Sequence, residues 1–155
     1  MSTETTLWNW LKNARKEANS KNETHLLHIN RVENILVSGM PDVELCHKGQ
    51  QIWVELKVKA FPKRANTPIK IRFEPAQRPW IGRRTKAQGC AFVLLQLGKY
   101  PNRHFCIMSH KKSEYLEKGI LLADLKKISD IYIENRISAL ELINKMRFLC
   151  LKSNS

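Results

Sequence analysis

The sequence predicts an α/β domain in which a mixed central β-sheet is flanked by helices. Three observations carry that expectation. Apolar residues recur at helical spacing near both ends of the chain, with Leu7, Trp10, Leu11 and Ala14 in one set and Leu140, Ile143, Met146, Leu149 and Cys150 in the other. Residues 43–57 alternate apolar and polar side chains around Lys48-Gly49, as an antiparallel hairpin does. Cys90 to Leu97, CAFVLLQL, is a nearly unbroken apolar run between turn signals, which suits a strand covered on both faces. A covered strand beside a hairpin calls for helices on both sides of one sheet.

Taken in order, Glu4 to about Ala18 reads as an amphipathic helix, closed by the polar run Asn19 to Asn22. The aliphatic residues of His25 to Val37 predict a strand ended by Ser38-Gly39, and the hairpin follows. Residues 60–72, AFPKRANTPIKIR, are Pro-rich and basic and read as a loop. Pro75 can open a helix that runs to about Gln88 and stops at Gly89, with Pro79 perturbing its first turn. The apolar run from Cys90 comes next, then a strand over His104–Met108, and finally a helix over Ser138–Leu151 capped by Ser138. The predicted order is helix, three strands, helix, two strands, helix, a pattern that suits an α/β or an α+β domain with a mixed sheet. Neither a repeat nor a dividing linker interrupts it, so one domain over residues 1–155 is expected.

Lys and Arg number 27 against 14 Asp and Glu, a formal charge of +13. Such an excess points to a surface that meets phosphates or anionic lipid. No apolar run approaches the ~20 residues of a spanning helix, and the N-terminus lacks the plan of a signal peptide. The expectation is therefore a soluble, intracellular (cytoplasmic) protein without a membrane partner. Cys46, Cys90, Cys106 and Cys150 show no metal-ligand spacing and are expected to be reduced, and the five histidines show no zinc-like spacing either. Trp80 is expected to pack its helix on the sheet and Trp53 to lie half buried.

The hairpin also carries charges that packing alone does not require. With Lys48 and Gly49 as the turn, Val43 faces Val54, Leu45 faces Ile52 and Asp42 faces Glu55. Asp42, Glu55 and Lys57 then share the face opposite Val43, Leu45, Ile52, Val54 and Leu56. Opposed carboxylates destabilise a sheet unless something compensates. A hard divalent cation such as Mg²⁺ or Mn²⁺ would do so, taking carboxylate and carbonyl oxygens. The plainer alternative is that Asp42 ends a loop and Glu55 pairs with Lys57. Pattern alone leaves both open.

Pro41-Asp42, then Glu55-Leu56-Lys57 on the next strand, resembles the signature of the PD-(D/E)XK nuclease superfamily. The longer text SGMPDVELCHKGQQIWVELK, followed by Gln77-x-x-Trp80 and a Gly leading into an aliphatic strand, is similar to the VRR-NUC and phage Holliday-junction-resolvase-like type within it. The resemblance spans about residues 25–97 and implies a restriction-endonuclease-like core. It also implies that Asp42, Glu55 and the Leu56 carbonyl hold Mg²⁺ or Mn²⁺, that Lys57 positions the attacking water, and that Gln77 orients Lys57 or the scissile phosphate. Many relatives add an acid from the first helix, for which Glu4 and Glu17 are candidates; Glu33 is a candidate for the outer metal shell or, alternatively, for a salt bridge with Arg31 or a nearby lysine.

A nuclease site should be flanked by cations. Lys59, Lys63, Arg64, Lys70 and Arg72 follow the strand, and Arg78, Arg83, Arg84 and Lys86 lie on the next helix. They are the expected phosphate contacts. The expectation is thus a metal-dependent nuclease acting on DNA, selective for branched or Holliday-junction structure, in which a homodimer would supply two cutting sites. A non-catalytic nucleic-acid-binding protein and a restriction-type endonuclease are the rivals.

Overall fold

The structure, a computed structural model, describes residues 3–33 and 36–153. Its elements are α1 (Glu4–Leu11), α2 (Ala14–Ser20), a 3-10 turn (Thr24–Leu26), β1 (Leu27–Arg31), β2 (Val43–His47), β3 (Gln50–Lys59), α3 (Gln77–Lys86), β4 (Ala91–Lys99), β5 (Asn102–Met108), α4 (His110–Lys118), α5 (Leu122–Ile128), β6 (Ile131–Ile133) and α6 (Ala139–Ser153). The strands form one six-stranded sheet in sequence order. Only β3 and β4 run parallel, since the crossover through α3 lies between them; the other neighbours are antiparallel. The α/β expectation with a mixed, helix-flanked sheet holds.

The hairpin has the register its alternation demands, Val43 opposite Val54 and Leu45 opposite Ile52. Lys48 at φ 50° and Gly49 at φ 84° form the turn, both left-handed as a two-residue hairpin loop requires. Val43, Leu45, Ile52, Val54 and Leu56 consequently face one way and bury against Leu7 and Leu11 of α1 and Leu142, Ile143 and Met146 of α6. Trp53, Val93, Leu95 and Leu97 face the other way, onto Trp80 and Ile81 of α3 and Leu116 of α4. Burying a single large aliphatic side chain contributes roughly 1.5–3 kcal/mol, so these two layers hold the sheet rigidly between them.

Several expectations are corrected. The first helix is broken at Lys12 and Asn13, where Asn13 begins α2 without a side-chain cap; an Asn competes with the helix for backbone hydrogen bonds. Trp10, just before the break, stacks on Phe105 at 4.7 Å between centroids. The segment His25–Val37 does hold a strand, Leu27–Arg31, but it ends well before Ser38-Gly39, and Asn34 and Ile35 of that segment lie outside the described residues. Pro79 does not perturb α3, because it sits in the first turn, where its missing N–H costs no helical bond. Trp53 is buried rather than half buried, tilted against Trp80 at 5.1 Å. Between Ser109 and Ile137 the chain forms α4, α5 and β6, which the sequence pattern did not mark.

Cys90 and Cys150 are joined by a disulfide across a sequence separation of 60, which ties α6 to the start of β4; Cys46 and Cys106 are free. The expectation of four reduced cysteines fails for this pair because its Cα atoms, 5.7 Å apart, are brought together only by tertiary packing. Among the described residues no helix is long and apolar enough to cross a membrane.

Candidate active site

Three segments meet on the face that carries α3. The loop before β2 delivers Asp42, the middle of β3 delivers Glu55 and Lys57, and the first turn of α3 delivers Gln77. The loop is pinned from two sides. The N–H of Val32 donates to the Asp42 carbonyl at 2.7 Å. Gly39, at φ +85°, lies so close to Ala76 that an added Cβ would collide with that residue's carbonyl. Ala76 immediately precedes α3, so the segment leading to Asp42 is packed directly on the one leading to Gln77.

Beyond Val54 the partner strand has ended, and Asp42 takes its place: the Leu56 N–H donates to Asp42 Oδ2 at 2.9 Å. In an extended strand the N–H and C=O of one residue leave by the same edge, as ladder pairing requires. The Leu56 carbonyl therefore points to the side on which Asp42 sits.

Glu55 is 1% exposed. Its Oε1 accepts from Gln77 Nε2 at 2.6 Å and lies 3.4 Å from Lys57 Nζ. The amide of Gln77 is fixed in that sense because its own Oε1 accepts from Lys57 Nζ at 3.0 Å and from the Glu74 N–H at 2.8 Å. Lys57 also approaches the Phe73 ring at 5.1 Å. Glu55 Oε2, by contrast, is buried without a protein partner. Neither carboxylate can donate while both are ionised, so a shared proton, a donating water or a cation is what satisfies Oε2 and Asp42 together.

The electrostatics say the same. Burial, reinforced by the charge of Asp42 and opposed by Lys57, pushes the Glu55 carboxyl up to about 8. Burial also raises Asp42, against the Leu56 N–H, Lys57 and Arg31, which hold it down. Two carboxyls that resist ionisation in one buried spot favour a cation between them.

Of the other acids, Glu4 at the start of α1 is near enough to disfavour ionisation of Asp42. Glu17 is elsewhere, accepting from the Leu140 N–H at 3.3 Å, and Glu33 is exposed. Among the described residues no three His, Cys, Asp or Glu side chains converge as a metal cage. A site of two carboxylates and a carbonyl is what Mg²⁺ or Mn²⁺ uses when the rest of its shell is water and phosphate. The donor set fits.

The cations divide into two groups. Lys59, Lys63, Arg64, Lys70, Arg72, Arg83 and Lys86 are exposed, and Lys59, Lys70 and Arg72 line a cleft of about 560 Å³ with Phe73. Arg78 and Arg84 are engaged internally. Arg78 donates to Ser113 Oγ at 2.9 Å, to Glu117 Oε2 at 3.0 Å and to the His110 carbonyl at 3.3 Å, which clamps α3 to α4. Three of the five Arg78 donors are held by α4, so the side chain braces two helices as well as standing where a phosphate contact is expected. Arg84 lies over Trp80 at 4.7 Å and over Trp53 at 5.4 Å.

No protein-family model and no curated protein matches the chain. Among solved structures it is similar to Hjc, a Holliday junction resolvase from the archaeal hyperthermophile Archaeoglobus fulgidus, with a TM-score of 0.48 and 16% identity over 86% of this chain and 97% of that one. It is also similar to a VRR_NUC domain, with a TM-score of 0.38 and 20% identity over 74% of this chain and 95% of that one.

Proposed function

We propose that the chain is a single-domain, metal-dependent nuclease of restriction-endonuclease-like build that hydrolyses phosphodiester bonds in DNA. One observation carries the reading above the others: Glu55 Oε2 is buried and unpartnered beside the Asp42 carboxylate. A protein that only bound nucleic acid would need its cations and would have no use for two carboxyls in a spot where both resist ionisation. The sequence resemblance supports the same residues in the same roles.

Asp42, Glu55 Oε2 and the Leu56 carbonyl would hold Mg²⁺ or Mn²⁺. When bound, such an ion acts as a Lewis acid on the phosphoryl group and lowers the pKa of water. The rest is the work of the chain's own residues. Lys57 has three N–H donors; two meet Gln77 Oε1 and Glu55 Oε1, and the third is left for the attacking water or a phosphate oxygen. Its fixed charge offsets the negative charge carried by the phosphoryl oxygens during attack. Gln77 acts through Lys57 and Glu55, holding both at once from α3. The exposed cations Lys59, Lys63, Arg64 and Arg83 supply the phosphate contacts. The expected products carry 5′-phosphate and 3′-hydroxyl ends, and a second copy of the chain would supply the second cut in a symmetric branched substrate.

The test is incubation with supercoiled plasmid and with a synthetic four-way junction, in Mg²⁺, Mn²⁺ or EDTA. Cleavage in either metal, absent in EDTA and lost in Asp42→Ala and Lys57→Ala, is the expected result. Salt-sensitive binding that leaves both substrates intact in every metal would assign the chain to the non-catalytic class instead. Fixed cleavage positions in plasmid fragments would make it a restriction-type enzyme.

A further inference from the structure

On the opposite face of the sheet from Glu55, a cleft of about 750 Å³ lies between α1, the β4–β5 turn and the start of α6. Its floor is a stack. Trp10 lies on Phe105, and the Arg103 guanidinium lies over Trp10 at 4.7 Å, Phe105 at 5.1 Å and Tyr100 at 5.6 Å. Arg136 flanks the other side of the opening, 5.7 Å from the Tyr100 ring, and donates from Nη2 to Tyr100 Oη at 3.4 Å. Among the described residues neither guanidinium has a carboxylate within ion-pair distance. Three acids also line the cleft: Glu134 is paired with Lys126 at 2.6 Å, whereas Glu141 and Glu17 keep their charge and are held off the guanidiniums by the Ser138 and Leu140 N–H groups from which they accept. Tyr100 at the turn tip is 59% exposed. A largely exposed ring beside two guanidiniums matches an aromatic base and its phosphate, and the amides of Asn13 and Asn135 offer donors and acceptors for a base edge.

Position narrows the ligand further. The ladder pairs Glu55 with Val93 and Gly98 with Arg103. The cleft is therefore five residues along and two strands across from the carboxylates, about 20 Å at ordinary sheet spacings, with Lys59 and Lys99 exposed at the sheet end between them. A polymer touching both places must turn around that end. A duplex, with its persistence length of about 50 nm, does not turn so sharply at low cost; an unpaired strand does.

We infer that the Trp10–Tyr100–Arg103–Arg136 cleft holds a nucleotide of an unpaired strand that leaves the cleavage site around the Lys59–Lys99 end of the sheet, with its base on Tyr100 and its phosphate between the two guanidiniums. This rests on the nuclease reading for the path of the strand, but its test does not need cleavage.

Binding of a fluorescein-labelled oligothymidylate, and of a labelled duplex of equal length, is measured by anisotropy in EDTA. Both Tyr100→Ala and Arg136→Gln change exposed side chains, and Lys127→Gln on α5 serves as a remote cation control. Tyr100→Ala is expected to weaken the single strand about tenfold, the range of one lost base stack. Arg136→Gln should lower the slope of log affinity against log salt by about 0.7 for the single strand. Both should leave the duplex unchanged, and Lys127→Gln should alter neither. Equal single-strand affinity in Tyr100→Ala, Arg136→Gln and the parent overturns the inference, even if plasmid cleavage stands. Reduced affinity in those variants upholds it, even if no metal supports cleavage. A free mononucleotide that binds more tightly than the oligonucleotide overturns it in favour of a small-molecule site.

Discussion

Consider replacing Glu55 by Gln in protein kept free of metal with EDTA. The parent carboxyl has an ordinary value of 4.5 and is pushed up to about 8 in the fold. A group whose value is raised on folding stabilises the native state below its unfolded value, and that stability is lost as pH rises through its folded value. The window is therefore pH 4.5 to 8, over which the unfolded chain releases a proton that the native state keeps. At 1.36 kcal/mol for each pH unit this corresponds to a loss on the order of 5 kcal/mol, carried jointly by Glu55 and Asp42. Gln cannot ionise. Its amide oxygen can still accept from Gln77, and its NH₂, in the place of the orphaned Oε2, can donate to Asp42. Urea unfolding at pH 5 and at pH 8.5 reads the difference: the parent should lose stability between the two, and Glu55→Gln should lose at least ~2 kcal/mol less. Added Mn²⁺ should then stabilise the parent at pH 8.5 in proportion to the logarithm of its concentration and leave the variant unmoved. Parallel pH profiles for parent and variant would refute the argument that the two carboxyls oppose each other's ionisation.

Four further outcomes follow from the fold. His47 is buried with Nδ1 unpartnered, and burial, with Lys48 and Arg147 nearby, lowers its value from 6.5; its own contribution to stability is full above pH 6.5 and is lost below it. His47→Gln in the Glu55→Gln background should flatten that acid limb in thermal melts, and an unchanged limb would contradict the assignment. Reducing the Cys90–Cys150 bridge, or changing Cys150 to Ser, should cost about 4 kcal/mol for a loop of 60 residues, read as a lower urea midpoint with and without dithiothreitol. Arg78→Ala should destabilise the fold by about 2 kcal/mol through its lost bonds to α4 with the salt slope of DNA binding unchanged. Arg83→Gln should instead keep the urea midpoint and reduce that slope by about 0.9, and a reversed pattern would exchange their roles.

What could be read in advance divides by the range of the interaction that decides it. The hairpin was legible because alternation and a Lys-Gly turn are local, and a two-residue turn sets the whole register. That register puts Asp42 beside β3, so the carboxylate pair was legible with it. Gln77 was reachable only through the resemblance, since nothing in QRPW by itself says that a glutamine at the first turn of a helix will face a strand more than twenty positions earlier. The α4 segment HKKSEYLEK buries only Ser113 and Leu116, too few apolar positions to show a period. The strand β6 is three residues long and exists by pairing with β5. Arg78 and Arg83 look alike in sequence; α4, itself unseen in the pattern, is what separates a clamp from a free cation. The aromatic cleft escaped for the same reason, because Trp10, Tyr100 and Arg136 come from three distant segments.

The contact between Gly39 and Ala76 bears on how such a centre tolerates change. Because the two backbones touch with no side chain between them, a shift in either segment is transmitted undamped to the other, and the acid and the amide travel as one piece. Insertions in the described part of this loop or just ahead of α3 should therefore be far scarcer among functional variants than insertions at residues 65–67, which are exposed and precede the buried anchors Ile69 and Ile71.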